Sequence, residues 1–354
     1  MVKSVSILLF LSSLAAACGQ TSPYAVSFPD QKYYQLQPGE LILAAIEEDI
    51  PPIQAVEEYF VHAEKADIDN LDLVVGLFIG GESRAYPVRL LSLHEVVNDQ
   101  MGGIAFAVTW CPLCFSPVVY DRTVDGNVLT FQASGYLLHD NLVLRDDPTD
   151  TLWSQLLGQG IKGAQRGTVL EVLPSSLTTW EAWRESYPDS LVLSGVKLGY
   201  QGEVPDPYAG YFNSSAVGLG GDANLVDQRL PGKKLVVGIS LGETSKAYPL
   251  DLIKENRIIQ DRLGPYPVML VWDEKKGINH LYLREIDGEI IDFQLTGTGE
   301  YLIDNQTGSI WNIASGTALK GDYVRETLVW IPSQLAYWFA WSSFYPESGL
   351  FTSN

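Results

Sequence analysis

The sequence predicts an α+β protein made of β-rich antiparallel sheet units with short helices, present as two internal repeats. Three observations lead to this prediction. Blocks of sequence recur in the same order, short β-branched and aromatic stretches alternate with turn residues, and two helical stretches interrupt them. Hydrophobic residues make up 46% of the chain, which is enough to bury a large core.

The repeat is visible as three matched blocks. The stretch VVGLFIGGESRAYPVRLL, residues 74–91, recurs as VVGISLGETSKAYPLDLI, residues 236–253, so that Tyr86 lies 162 positions before Tyr248. Further along, LWSQLLGQGIKG recurs as IWNIASGTALKG, and LPSSLTTWEAWRESYPDS recurs as IPSQLAYWFAWSSFYPES. Three blocks in one order predict two copies of one structural unit.

Strands are predicted where short apolar stretches are bounded by Gly, Asp, Asn or Pro. These stretches are LDLVVGLFI, IAFAVTW, SPVVYD and NVLTFQA. The pair Asp125 and Gly126 stands between two of them, and this dipeptide favours a tight hairpin turn.

Two helices are predicted within the first copy. One runs from about Val88 to Asn98, because its leucines and valines form an apolar face. The other follows Pro174, with Ser175 or Ser176 as its N-cap, and carries large aromatic residues at helical spacing.

The chain divides into five predicted segments. They are a signal peptide at 1–17, a lipid-anchored tether at 18–42, a first repeat carrying a Cys/His site at 43–200, a connection at 201–235, and a second, degenerate repeat without the site at 236–354.

The start of the chain predicts a bacterial cell-envelope location. A lysine, a short apolar run and three alanines precede Cys18, and this run is shorter than the ~20 residues that span a bilayer. The ending Ala-Ala-Ala-Cys is typical of a lipoprotein signal, so we expect Cys18 to be lipidated. Ordinary cleavage after Ala17 is the alternative. In either case the mature chain occupies an oxidising space, on the periplasmic or another extracytoplasmic face.

The net charge limits the classes of partner. With 43 acidic and 23 basic residues, the formal charge is −20, which argues against nucleic acid and against an anionic bilayer as electrostatic partners. We therefore expect contact with the membrane through the lipid anchor only. The sequence does not indicate a protein partner.

The most informative motif is a Cys-x-x-Cys pair, Cys111 and Cys114, in the stretch VTWCPLCFSPVVYD. A residue present in both copies is most simply explained by their shared fold, whereas a residue present in one copy only is free to carry chemistry. In the second copy, Asp273 and Lys276 stand at the matching positions. The cysteines are therefore candidates for function.

Two histidines follow the same pattern. His94 matches Asn256, and His139 lies in a stretch that is shorter in the second copy and has no clear counterpart there. The chain contains only four histidines, so their presence beside the cysteines in one copy is informative.

Three chemical interpretations of the pair are open. A metal site would use Cys111, Cys114 and His94, with His139 as a fourth ligand, and this donor set suits copper or zinc. A thiol–disulfide oxidoreductase would use Cys111 as nucleophile and Cys114 as resolving thiol. A structural disulfide would close so small a loop that it would stabilise the fold little. A non-catalytic binding module is a further alternative, so the sequence does not decide whether the protein is an enzyme.

Longer motifs are similar to a known family. AYPVRLLSLHEVVND, WCPLCFSPVVYDR, NLVLRDDPTDTLWSQLLGQGIKG and LPSSLTTWEAWRESYPDSLVLS together resemble the bacterial family known as domain of unknown function 3179. The resemblance covers about Asp49 to Tyr200 and the start of the second copy. It supports the grouping of His94, Cys111 and Cys114 and implies no particular activity or fold.

Overall fold

The computed structural model describes residues 33–55, 57–219 and 227–353. This part of the chain is rich in β-strands, most of them paired antiparallel, with a few short helices. The predicted β-rich antiparallel architecture with short helices is confirmed.

Sixteen strands precede residue 200. They are β1 Leu41–Leu43, β2 Ile53–Gln54, β3 Phe60–His62, β4 Leu73–Ile79, β5 Glu82–Pro87, β6 Val96–Met101, β7 Ile104–Cys111, β8 Ser116–Asp121, β9 Thr123–Val124, β10 Asn127–Val128, β11 Phe131–Leu138, β12 Asn141–Asp146, β13 Leu152–Ser154, β14 Gln159–Lys162, β15 Ser176–Thr179 and β16 Leu191–Leu193. The helices among them are α1 Val88–His94 and α2 Trp180–Ser186, with 3-10 turns at Glu47–Asp49, Glu57–Tyr59 and Ala63–Lys65.

These strands form three main sheets and one small hairpin. The sheet orders are β15-β4-β5-β16-β3, β2-β6-β7-β8 and β1-β11-β12-β13-β14, and β9 pairs with β10. The hairpin turns at Asp125 and Gly126, whose φ angles of 49° and 76° are left-handed, as the Asp-Gly dipeptide predicts.

The rest of the described chain begins with the short helix α3, Ala209–Phe212, and contains fourteen more strands. They are β17 Leu235–Leu241, β18 Thr244–Pro249, β19 Ile258–Leu263, β20 Tyr266–Asp273, β21 Ile278–Leu283, β22 Glu285–Ile286, β23 Glu289–Ile290, β24 Phe293–Leu295, β25 Tyr301–Asp304, β26 Ile310–Asn312, β27 Ala318–Lys320, β28 Val329–Trp330, β29 Gln334–Tyr337 and β30 Gly349–Leu350, with helices α4 Leu250–Asn256 and α5 Trp338–Phe344. Their sheets have the orders β29-β17-β18-β30, β19-β20-β21-β28 and β24-β25-β26-β27, and β22 pairs with β23.

Helix α1 is shorter than the predicted helix from Val88 to Asn98. It ends at His94, and Glu95 follows in a left-handed conformation with φ of 56°. From Val96 the chain pairs with β7 in strand β6, where the β-branched side chains fit the sheet better than a helix. The apolar residues that suggested a longer helix are therefore shared between a helix and a strand.

Helix α2 begins later than predicted. Residues Ser176–Thr179 pair with β4 as a strand, and the N-cap is Thr179, whose hydroxyl accepts a hydrogen bond from the backbone N–H of Ala182 at 3.4 Å. The prediction of a cap at Ser175 or Ser176 was wrong because sheet pairing extends to the residue before the helix.

A buried polar group ties β5 to β6. The hydroxyl of Tyr86 donates to Oδ2 of Asp99 at 2.6 Å, and the guanidinium of Arg84 pairs with the same carboxylate. Tyr86 is fully buried and Asp99 is 4% exposed. A buried carboxylate needs such partners, so this group joins the sheet that contains β5 to the sheet that contains β6 and β7.

Candidate functional site

The two cysteines lie on the turn between β7 and β8. Residues 111–116, which we call the cysteine turn, begin and end with the paired residues Cys111 and Ser116. Phe115 has a left-handed φ of 53°, and its backbone N–H donates to the carbonyl of Pro112 at 3.3 Å. This tight turn brings both sulfur atoms close to one backbone oxygen.

That oxygen is the carbonyl of Asp140. It lies 3.3 Å from Sγ of Cys114 and 3.8 Å from Sγ of Cys111. Asp140 and His139 form the turn between β11 and β12, with left-handed φ angles of 60° and 51°. The hairpin therefore directs a hydrogen-bond acceptor at both thiols.

Both thiols are free and buried. Cys111 is 1% exposed and Cys114 is fully buried, and neither forms a disulfide. Burial raises the pKa of Cys114 well above its usual range, and the neighbouring Cys111 raises it further. Cys114 is therefore held as a neutral thiol in this environment.

A buried hydrogen-bond network lies beneath the cysteine turn. The amide of Gln155 donates to Oγ1 of Thr109 and to the carbonyl of Ser116, each at 3.1 Å, and its oxygen accepts from Asn141 at 2.9 Å. All four residues are fully buried. Because the network joins β7, β8 and β12, it fixes the positions of the strands that carry the thiols.

Residues 208–219 cover the cysteine turn, and we call them the covering segment. The hydroxyl of Tyr211 donates to the carbonyl of Leu113 within the cysteine turn at 2.8 Å, and the backbone N–H of Leu219 donates to Oδ1 of Asp140 at 3.2 Å. Val217 is 2% exposed and packs in the same hydrophobic cluster as both cysteines.

Residues near the end of the chain also hold the turn. The backbone N–H of Tyr337 in β29 donates to the carbonyl of Cys114 at 2.8 Å. The ring centroids of Tyr337 and Phe115 are 5.3 Å apart. The cysteine turn, which joins β7 and β8, is thus also packed against β29 from the part of the chain after residue 200.

His94 has its ring nitrogens engaged by other groups. Nδ1 lies 2.7 Å from the carbonyl of Pro51, so it donates there, and Nε2 lies 2.9 Å from the hydroxyl of Tyr200. To bind a metal beside the sulfurs, the imidazole would have to leave one of these partners.

His139 is next to Asp140 in sequence, but its ring contacts a different group of residues. Nε2 lies 2.9 Å from the hydroxyl of Tyr34, and the ring packs edge-on against Phe344 at 5.1 Å. Burial lowers its pKa, so the imidazole is neutral at pH 7. Within the described ranges, no group of three or more His, Cys, Asp or Glu side chains is arranged to hold a metal ion.

Glu95, which follows helix α1 directly, is a buried acid that was not among the site residues predicted from the sequence. It is 8% exposed, and burial raises its pKa to about 8. Burial raises the pKa of Tyr208 in the covering segment, and the charges of Glu95 and Cys111 would raise it further. The comparison of repeats contained a signal, because position 95 matches Arg257.

The lipidation candidate Cys18 and the predicted signal peptide lie outside the described residues. The described helices include none that is long and apolar enough to cross a membrane.

The fold and the site define a β-rich protein with a buried, reduced Cys-x-x-Cys pair on a strand turn. The chain belongs to the DUF3179 family, described as a protein of unknown function, which it matches over residues 47–348. The resemblance seen in the sequence is thereby confirmed. Comparisons with curated proteins and with solved structures gave no match.

Proposed function

We propose that this protein is a cell-envelope lipoprotein that binds one soft transition metal ion through Cys111 and Cys114. One observation carries the proposal: two free, buried sulfur atoms, from cysteines three positions apart, approach the same carbonyl oxygen of Asp140. Two thiolates on one turn form a compact soft donor set, and soft thiolate ligands favour copper(I) and zinc.

Copper(I) fits this donor set better than zinc. Zinc in proteins takes four ligands as a rule, and the two histidines expected to complete the set are bound to other groups. Copper(I) accepts two thiolates alone. We therefore assign Cys111 and Cys114 as the ligands, while His94 and His139 would join only after a rearrangement of the chain.

The test is titration of reduced, full-length protein carrying Cys18→Ser with copper(I), under anaerobic conditions and against a competing chelator. We expect one equivalent per chain, and its loss in Cys111→Ser and in Cys114→Ser. His94→Ala and His139→Ala serve as matched controls and should retain the equivalent. Absence of binding, or full binding in either serine variant, would refute the proposal.

A second candidate function is thiol–disulfide exchange. It is favoured by the presence of two free thiols on one turn, which could close a disulfide after exchange. It is disfavoured by burial, because reactive cysteines are partly exposed and lie in electropositive surroundings. Rapid exchange of the pair with a small disulfide, without metal binding, would favour this alternative.

We also propose that the chain contains two copies of one unit. Matching hydrogen bonds support this interpretation. Tyr86 donates to Asp99 as Tyr248 donates to Asp261, at 2.6 and 2.9 Å. The indole N–H groups of Trp153 and Trp311 also donate to aspartates seven residues earlier, at 2.8 and 3.0 Å. In this interpretation the second copy serves as scaffold, since it lacks both cysteines.

A further inference from the structure

The cysteine pair is enclosed, so any ion or reagent must reach it by a movement of the protein. Cys111 is 1% exposed and Cys114 is fully buried. One side of the site is closed by strands β7 and β8 and by the buried network around Gln155. The two strands are joined by backbone hydrogen bonds along their length. Entry from that side would require disruption of a sheet.

The covering segment is attached less extensively. Its regular structure is limited to the four residues of α3, and its contacts with the cysteine turn come from side chains. Segments with little regular structure of their own open locally at lower free energy than core strands. Of the elements around the site, we therefore expect residues 208–219 to open locally at the lowest free energy.

Tyr211 is the main point of attachment. Its hydroxyl donates to the carbonyl of Leu113 at 2.8 Å and accepts from the backbone N–H of Gly218 at 3.1 Å, so one oxygen joins the cysteine turn to both ends of the segment. The ammonium group of Lys233 lies 3.4 Å from the centroid of the tyrosine ring.

Gly218 allows the segment to close. It has a left-handed φ of 55°, and a Cβ atom at this position would lie 2.1 Å from Oδ2 of Asp140. Asp140 also supplies the carbonyl near both thiols. Closure of the segment and the geometry of the site thus depend on the same hairpin turn.

We propose that Tyr211 controls access to the cysteine pair, by holding residues 208–219 closed over the sulfurs until local opening admits a soft cation. The inference rests on the proposed metal binding only for the identity of the entering species. The hydroxyl acts on the rate of entry and takes no part in coordination.

The experiment measures thiol modification in folded, reduced, full-length protein carrying Cys18→Ser, with methyl methanethiosulfonate as the probe and no metal present. Tyr211→Phe retains the ring and removes the hydroxyl. We expect the labelling rate to rise roughly 3- to 10-fold, as expected when about one net hydrogen bond is lost from the closed state. Tyr200→Phe, which removes the hydroxyl bound to His94, is the matched control and should label at the wild-type rate.

Two further measurements keep the inference testable if Tyr211→Phe does not fold. Wild-type protein should label faster than it unfolds globally, and Gly218→Ala should also accelerate labelling. Labelling of the wild type only at the rate of global unfolding would overturn the proposal, as would an unchanged rate in a folded Tyr211→Phe protein.

The same variants separate this inference from the metal proposal. Faster labelling without any copper(I) binding would support control by Tyr211 and refute the metal site. Copper(I) binding with identical labelling and uptake rates in the wild type and Tyr211→Phe would support the metal site and refute control by Tyr211.

Discussion

Gly76 in β4 lies against the indole of Trp183, so closely that a Cβ atom at position 76 would be 2.3 Å from ring carbon Cε3. Gly238 in β17 has the same relationship to Trp341, at 2.2 Å. Each tryptophan is in the helix that packs on its sheet, and each donates its indole N–H to a serine seven residues later at 2.9 Å. The absence of a side chain lets the helix approach the sheet.

This relationship predicts the effect of a single methyl group. Gly76→Ala and Gly238→Ala should each destabilise the protein by about 1–3 kcal/mol, because the indole must shift within a close-packed core. Urea unfolding would measure both changes. Gly210→Ala is the control, since a Cβ there meets no atom within 4 Å. Equal stability of all three variants and the wild type would contradict the observed packing.

A second prediction concerns thiol content. In reduced protein carrying Cys18→Ser, two thiols remain, at Cys111 and Cys114. Because both are buried, a bulky aromatic disulfide reagent should modify them slowly in the native state and at once in guanidinium chloride. Cys111→Ser should halve the count in denaturant. Immediate reaction of two thiols in native protein would contradict the enclosed site.

A third prediction follows from His280 in β21. Burial lowers its pKa to about 4. The charge of Lys276 lowers this pKa further, and the charge of Asp273 partly offsets the decrease. The unfolded chain therefore binds this proton more readily, so stability is lost as the pH falls from about 6.5 through 4. Between pH 7 and pH 5 the wild type should lose about 2 kcal/mol more than His280→Gln. Parallel pH profiles of the two proteins would refute the assignment.

The sequence predicted the elements whose signals are local. The β-branched and aromatic stretch SPVVYD matches β8 residue for residue, and Asp125–Gly126 marked the hairpin of β9 and β10, because strand and turn preferences are properties of adjacent residues. The end of α1 was not predictable in this way. The apolar run continues past His94, and only pairing with β7 turns the chain into a strand.

In the candidate site, too, local features were predictable from the sequence and features set by tertiary contacts were not. Two cysteines three positions apart on a turn must lie close together, so their proximity was predictable. The surroundings depend on tertiary contacts: the carbonyl of Asp140, the hydroxyl of Tyr211 and the carboxyl of Glu95 come from three other parts of the chain. The positions of His94 and His139 relative to the sulfurs depended equally on distant partners, namely Pro51 and Tyr34.

A fourth prediction concerns the anchor. We expect wild-type protein to fractionate with membranes and its N-terminus to be an acylated Cys18, because the residue follows a lipoprotein-like signal. Cys18→Ser should be processed differently or released in soluble form. Mass spectrometry of the mature N-terminus is the measurement. Soluble wild-type protein with an unmodified N-terminus would refute the lipoprotein assignment.

The last prediction uses Glu95, whose carboxyl is buried without a cation or a hydrogen-bond donor among the described residues. Its pKa of about 8 in the native state exceeds the ordinary value of 4.5. The folded protein therefore binds this proton more tightly, so the associated stability is complete at low pH and is lost as the pH rises through 8. Glu95→Gln resembles the protonated acid, so the variant should not show this loss. Between pH 5 and pH 7 we expect the wild type to lose about 2–3 kcal/mol relative to Glu95→Gln in urea unfolding. Glu203→Gln, which changes an exposed carboxylate, should follow the wild-type profile over this range. A Glu95→Gln profile that parallels the wild type would mean that the carboxyl is solvated or paired in solution.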